Sequence, residues 1–277
     1  MKNTIPVFMV SSGRSGSAMM EKVFSVDPSV EVHHEYLCTH VQKIACLWEM
    51  RKISRPHALK ELSLIYGPAL FYCPAPIFID SSNKLSWVIS LLDELFPSCH
   101  FVHIVRDGRK VTSSYYHKLH DECYDDRSVR ILRASFENEM PLPPPEKKYY
   151  WPIPLPPNPD AERFEELDQY GRICWHWASI NKRINQQLEN IKKSRKLVVR
   201  LEDLVSNEDK VRELFSFIKL SYNSESYRML QRPHNVNKPE DKLLTPDQRA
   251  IFNAEAKDIL ELYGYGESPE YQMHYDC

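Results

Sequence analysis

Six residues near the amino terminus, Ser12-Gly13-Arg14-Ser15-Gly16-Ser17, have the types and spacing to hold an anion. Gly13 and Gly16 permit positive φ and close approach of the backbone. Arg14 supplies a fixed positive charge, and the hydroxyls of Ser15 and Ser17 are able to donate to phosphate oxygens. A β-branched apolar run precedes the stretch and a helical pattern follows it, so the first helical turn would direct its N–H groups at a bound anion. Such a loop is an anion nest. It is not the GxxxxGK[ST] loop, because position 14 is Arg and the second glycine is followed by Ser17.

A second stretch, Arg106-Asp107-Gly108-Arg109 with Ser114 eight residues after Arg106, repeats the arrangement. With a helix starting near Gly108, Ser114 lies less than two turns in and faces back toward the strand tip. A forked guanidinium beside a hydroxyl suits a terminal phosphate. Asp107 reads as a helix cap or loop brace, and Arg109 and Lys110 as a solvated face. A third cluster, His33-His34-Glu35-Tyr36, offers a carboxylate and two imidazoles able to take a proton. Its bland reading is a polar loop after a helix.

The elements that must position these groups alternate along the chain. Ile5–Val10 reads as a buried strand and Ala18–Val26 as a helix stopped by Pro28. Ile77–Ile79 reads as a strand ending at Asp80, followed by one largely apolar helix from Leu85 to Phe96. His100–Val105 is a third strand, with a helix from about Lys110 to His120. A long helix is expected over about Glu165–Lys192, a fourth strand over Lys196–Leu201 and a final helix over Pro246–Tyr263. This alternation gives an α/β fold with a parallel sheet and helices on both faces, ligands binding beyond the carboxyl ends of its strands. Nine of the 20 prolines fall between Pro141 and Pro159. Helix and sheet ladder are blocked there, leaving an extended excursion at about 138–160, either a stiff connector or a lid or acceptor-binding wall. Trp48, Trp87, Trp175 and Trp177 can stack a base or sugar, though aromatics at helical spacing usually belong to a core.

The 277 residues suffice for one large domain spanning 1–277. A net charge of −2 from 36 basic and 38 acidic side chains argues against a nucleic-acid or anionic-membrane binder. The seven cysteines are scattered with no CxxC pair, so no zinc site or redox motif is indicated and free thiols in a reducing compartment are expected. No apolar stretch reaches the length of a signal core or membrane span, and the chain reads as cytoplasmic.

Taken together, the two loops resemble the signature of the sulfotransferase family, in which the first holds the 5′-phosphosulfate and the second the 3′-phosphate of 3′-phosphoadenosine 5′-phosphosulfate. Gly13-Arg14-Ser15-Gly16-Ser17 resembles the bacterial and Golgi-type variant, with Arg where cytosolic enzymes have Lys. Val199-Arg200-Leu201-Glu202-Asp203-Leu204 is similar to the family's later strand-and-cap segment. The resemblance implies a P-loop-NTPase-like sulfotransferase fold. It also implies in-line displacement of the sulfuryl group onto an acceptor hydroxyl or amine, leaving adenosine 3′,5′-bisphosphate, with no metal required. By this resemblance Ser12 to Ser17, Arg106 and Ser114 bind the donor, and Arg14 aided by Ser17 stabilises the leaving group. Glu35 falls where the tyrosylprotein sulfotransferases keep their base, its pKa expected to be raised near a cofactor phosphate; His33 or His34 is the alternative. Two departures stand out. The Gly-rich C-terminal motif is replaced by Arg232 to Pro239, read as a closing loop at about 232–245 with Lys238 near the 3′-phosphate. Lys84 comes slightly later than the family's lysine after the second strand. The implied acceptor is a small molecule or a glycan. The rival classes are a nucleotide-dependent kinase, which would need a lysine in the first loop and acidic Mg²⁺ ligands, and a non-catalytic nucleotide-binding protein.

Overall fold

Ile5–Val10 (β1) is the centre of a five-stranded, wholly parallel sheet in the order β2-β3-β1-β4-β5. The structure, a computed structural model, describes residues 4–231 and 243–270. The other strands are β2 (Val30–His34), β3 (Ile77–Ser81), β4 (His100–Val105) and β5 (Lys196–Arg200). The helices are α1 (Ser17–Phe24), α2 (Cys38–Glu49), α3 (Arg55–Tyr72), α4 (Ile89–Leu95), α5 (Gly108–Leu119) and α6 (Asp126–Phe136). They continue with α7 (Ala161–Glu166), α8 (Gln169–Glu189), α9 (Leu201–Ser206), α10 (Glu208–Phe217), α11 (Ser224–Gln231) and α12 (Pro246–Leu262).

Strand side chains alternate between faces, and both faces are covered, so the central strand β1 is apolar throughout. Phe8, Val10, Phe78, Phe101 and Val105 pack into a core with residues of α2, α3, α4, α8 and α12. Val7, Met9, Ile77, Ile79, Val102 and Ile104 pack on the other face with α1, α9, α10 and α11. The expected α/β class is therefore the one observed, in a P-loop-like strand order. The register pairs Met9 with Ser81, His34 with Ser81, Val10 with His103 and Val105 with Arg200. Strand order reverses about β1, so the loops after β1, β2, β3 and β4 gather at one crevice.

Several boundaries differ from expectation for identifiable reasons. The long helix is two: the Asp168 carboxylate accepts from Gly171 N and caps α8, while Leu167 is extended. The apolar helix after β3 is likewise split, into a 3₁₀ turn over Asn83–Trp87 and then α4, with Val88 between. The cluster at His33 is no polar loop: His33 and His34 end strand β2, and Glu35 follows it. The final helix begins as expected, Thr245 forming a reciprocal capping box with Gln248.

Residues 137–160 contain no helix or strand, as the prolines dictate, but the segment is more than a connector. Tyr150, Trp151 and Ile153 are buried in the core, and Gln42 Nε2 donates to the carbonyls of Lys147 (3.0 Å) and Tyr150 (3.1 Å). Trp151 Nε1 donates to Glu122 O and Tyr124 Oη to Pro152 O, both at 2.8 Å. Trp87 and Trp177 are core residues, and Trp48 and Trp175 are partly buried at the margin of the same core. Cys38, Cys46, Cys73, Cys99, Cys123 and Cys174 are free thiols. No helix among the described residues is long and apolar enough to cross a membrane.

Candidate active site

The first loop leaves β1 with Gly13 at φ 85°, Arg14 at 52° and Gly16 at 87°. At Gly13 a Cβ would land on the Tyr115 hydroxyl, so glycine is required by packing as well as by φ. Gly16 is the N-cap of α1 and its carbonyl accepts from Met19 N and Met20 N. The N–H groups of the turn are thereby presented at the loop. Behind the loop, Ser12 O accepts from Tyr115 Oη (2.9 Å) and from His176 Nε2 (3.2 Å). Burial pushes His176 down to about 3, so the ring is neutral and its hydrogen sits on Nε2. Ser12 and Ser15 are buried: their hydroxyls lie 3.4 Å apart, and Ser15 Oγ donates to Gly13 O. In this state the two hydroxyls brace the loop from within, and Ser17 is the half-buried one.

Arg14 joins the two loops. Its Nε donates to Ser114 Oγ at 3.0 Å, and its carbonyl accepts from Arg106 Nη1 at 2.8 Å. Burial lowers its pKa, Tyr115 and Glu35 oppose this, and the neighbouring Arg106 adds to it. Two guanidiniums crowded into one partly dry place are stabilised by an anion between them.

Asp107 braces the second loop as expected, its carboxylate accepting from Arg109 N and from the Arg109 side chain. Arg109 and Lys110 are not a solvated face: only 7% and 2% of each is exposed. Arg109 donates to the carbonyls of Ser268, Tyr265 and Pro269, and Lys110 lies 3.4 Å from Glu270. The chain's C-terminal segment returns to cover them, which local charge patterning does not reveal.

Glu35 sits at the tip of β2 with φ 58°, its N–H donating to Ser81 O. Its carboxylate lies between two lysines: Lys84 Nζ is 3.5 Å from Oε1, and Lys147 Nζ donates to Oε2 at 2.6 Å. Burial alone would raise its pKa, but Lys84, Lys147 and His34 together outweigh burial and hold it at about 2. The expected upward shift is thus reversed by two cations, neither of which was paired with Glu35 in the sequence. Lys84 is itself buried, donates to Asn83 Oδ1 at 2.8 Å and lies 4.6 Å from the Trp151 ring centroid. Burial lowers its pKa while Glu35 opposes.

Strand alternation separates the two histidines. His34 Nε2 is 3.0 Å from Ser17 Oγ, inside the site, and burial lowers its pKa. His33 points the other way, pairing with Glu31 at 3.0 Å and packing against Tyr36 and Phe78. Beneath the cluster lies Asp80, wholly buried, accepting from Tyr66 Oη (2.7 Å) and Tyr36 N (3.2 Å). Burial pushes Asp80 up to about 7 against those two hydrogen bonds.

The structure therefore brings together Arg14, Ser17, His34, Glu35, Arg106 and Ser114, and adds Lys84, Lys147, Tyr115, Asp80 and His176. A signal for Lys84 existed in its distance from the strand end; the others come from sequence too remote to read locally. Lys238 and most of the expected closing loop lie outside the described residues. A groove of about 990 Å³ along α8 and α12 contains no residue of either anion loop.

The strand tips of the parallel sheet thus converge on two Arg-containing loops and a lysine-flanked carboxylate. Residues 6–137, which carry both loops, match the sequence model of the Sulfotransferase family. Similar solved structures include a sulfotransferase from Alicyclobacillus acidocaldarius, 15% identical over 92% of this chain and 94% of that one, with a TM-score of 0.49. Another is a sulfotransferase from Mycobacterium avium, 14% identical over 95% and 78%, TM-score 0.47. A mouse sulfotransferase complexed with PAP is 12% identical over 91% and 84%, TM-score 0.42. No curated protein sequence matches.

Proposed function

We propose that the protein transfers a sulfuryl group from 3′-phosphoadenosine 5′-phosphosulfate to an acceptor hydroxyl. The observation that carries this reading is Arg14, bonded at once to Ser114 and to Arg106, which makes the two anion loops one site. The match of residues 6–137 to the Sulfotransferase family model supports it. Ser12 to Ser17 cradle the 5′-phosphosulfate through backbone N–H groups, while Arg106 and Ser114 take the 3′-phosphate.

The reaction is an in-line displacement at sulfur. Glu35 accepts the acceptor proton, the acceptor oxygen bonds sulfur, and the bond to the phosphate oxygen breaks with its electron pair leaving on that oxygen. Arg14 and Ser17 stabilise this developing charge, and Lys84 supplies a positive charge beside the transferring group. His34, hydrogen-bonded to Ser17 and held neutral by burial, orients that hydroxyl.

Thermal-shift titration with adenosine 3′,5′-bisphosphate, ATP and GTP tests the donor class. Stabilisation by the bisphosphate alone agrees, through linkage. Stabilisation by ATP with strictly Mg²⁺-dependent turnover overturns it in favour of phosphoryl transfer.

A further inference from the structure

The Pro-rich excursion contributes one charged group to the site, and that group occupies the oxygen the chemistry needs. Lys147 Nζ donates to Glu35 Oε2, while Lys84 holds the other side of the carboxylate. The two lysines differ in how they are held. Lys84 is 4% exposed, fixed by Asn83 Oδ1 and the Trp151 ring. Lys147 is 44% exposed, on a segment without helix or strand, its backbone carbonyl pinned by Gln42. Its backbone is thus anchored over the site while its side chain has room to swing away.

A general base must come within about 2.6–3.2 Å of the proton it removes. An acceptor hydroxyl aimed along the lone pair of Oε2 that the ammonium holds must displace it first. We propose that Lys147 is a positioning residue that latches Glu35, and that an entering acceptor hydroxyl replaces it at Oε2. The inference rests on Glu35 being the base in the reading above. The latch withholds the base from any weaker competitor for that position, water above all. In the unlatched state a water molecule takes the place of the acceptor. Its oxygen bonds the donor sulfur, Glu35 takes its proton, and the sulfur–oxygen bond to phosphate breaks, giving sulfate and adenosine 3′,5′-bisphosphate.

The titratable and charged groups around Glu35 are Lys84, Lys147, His34 on β2, Arg14 in the first loop, Cys38 on α2, Asp80 on β3 and Tyr115 on α5. Removing Lys147 takes away a hydrogen bond and a cation, so the carboxyl rises from about 2. It becomes both uncovered and more basic.

The test needs no acceptor. Sulfate release from 3′-phosphoadenosine 5′-phosphosulfate in water is followed across pH in the full chain and in Lys147→Met, Lys147→Arg, Glu35→Gln and Lys147→Met/Glu35→Gln. Release by Lys147→Met is expected to rise about ten-fold or more, with an acid limb at higher pH than in the wild type. Lys147→Arg should stay well below Lys147→Met, and the double variant should lose the gain. Unchanged or lower release by Lys147→Met, with an unmoved pH profile, overturns the latch. A gain that survives Glu35→Gln instead overturns Glu35 as base. Absence of any thermal shift with the bisphosphate in the wild type overturns the donor reading beneath both.

Discussion

Replacing Gly13 with alanine tests whether the first loop is built as described. The new Cβ would fall on the Tyr115 hydroxyl, 2.8 Å from Asn83 Nδ2 and 3.0 Å from Tyr115 Cζ, on a backbone held at φ 85°. A left-handed alanine costs about 1–2 kcal/mol. Displacing the hydroxyl removes its bonds to Ser12 O and Asn83 and strands a buried polar group, another ~1–3 kcal/mol. Urea denaturation should therefore find Gly13→Ala destabilised by about 2–5 kcal/mol. Bisphosphate affinity should fall too, because the Ser12 peptide that bears the loop has moved. Tyr115→Phe removes the atom in the way, so the double variant should be less destabilised than the sum of the singles by about 1–2 kcal/mol. A Gly13→Ala protein within about 0.5 kcal/mol of wild type and unimpaired in binding refutes the reasoning.

Arg106→Ala and Ser114→Ala should each weaken bisphosphate binding by about 1.5–3 kcal/mol in isothermal titration, since each loses a charge-assisted contact. Unchanged affinity in both removes the second loop from the donor site. Glu35→Gln should lower turnover by about 10²–10⁴-fold with bisphosphate affinity nearly kept. His33→Asn should stay active, because that ring faces away from Ser17; collapse in His33→Asn alone would move the base. Asp80 has a folded-state pKa raised to about 7, so its contribution is present below its ordinary carboxyl range and is lost as pH rises through 7. Asp80→Asn should therefore flatten the fall in stability between about pH 4 and pH 7, read by denaturation at each pH. An unaltered slope would mean that Asp80 is ionised throughout.

The first loop was legible as a turn because its glycines, its arginine and the strand and helix that flank it are local. The central strands were legible for the same reason, as their runs are short, β-branched and bounded. What could not be read came from distance and parity. The partner Lys147 lies 112 positions from Glu35, and His176 lies 164 positions from the Ser12 carbonyl it supports. Choosing between His33 and His34 required knowing that β2 is a strand. Val30–His34 is too short and polar to declare itself, and only alternation decides which ring meets Ser17. Helix α3 was missed because its apolar residues run all round it, leaving Leu64, Phe71 and Tyr72 exposed and no stripe to detect. Arg109 and Lys110 were misjudged because charge suggests solvent until a remote segment is known to cover them.

That covering segment has a consequence for how the protein is made. Arg109 is held by carbonyls up to 160 positions later, so the ribosome must add that stretch before the clamp exists. At about 5–20 residues per second, the second loop waits some ~8–30 s after its own synthesis for the residues that fix it. Through that interval the buried Asp107–Arg109 pair has its own bonds but not its cover. A nascent chain halted before Tyr265 should thus hold a first loop and a sheet centre yet lack a finished second loop, and capture on immobilised bisphosphate should begin only once Tyr265 to Pro269 have emerged.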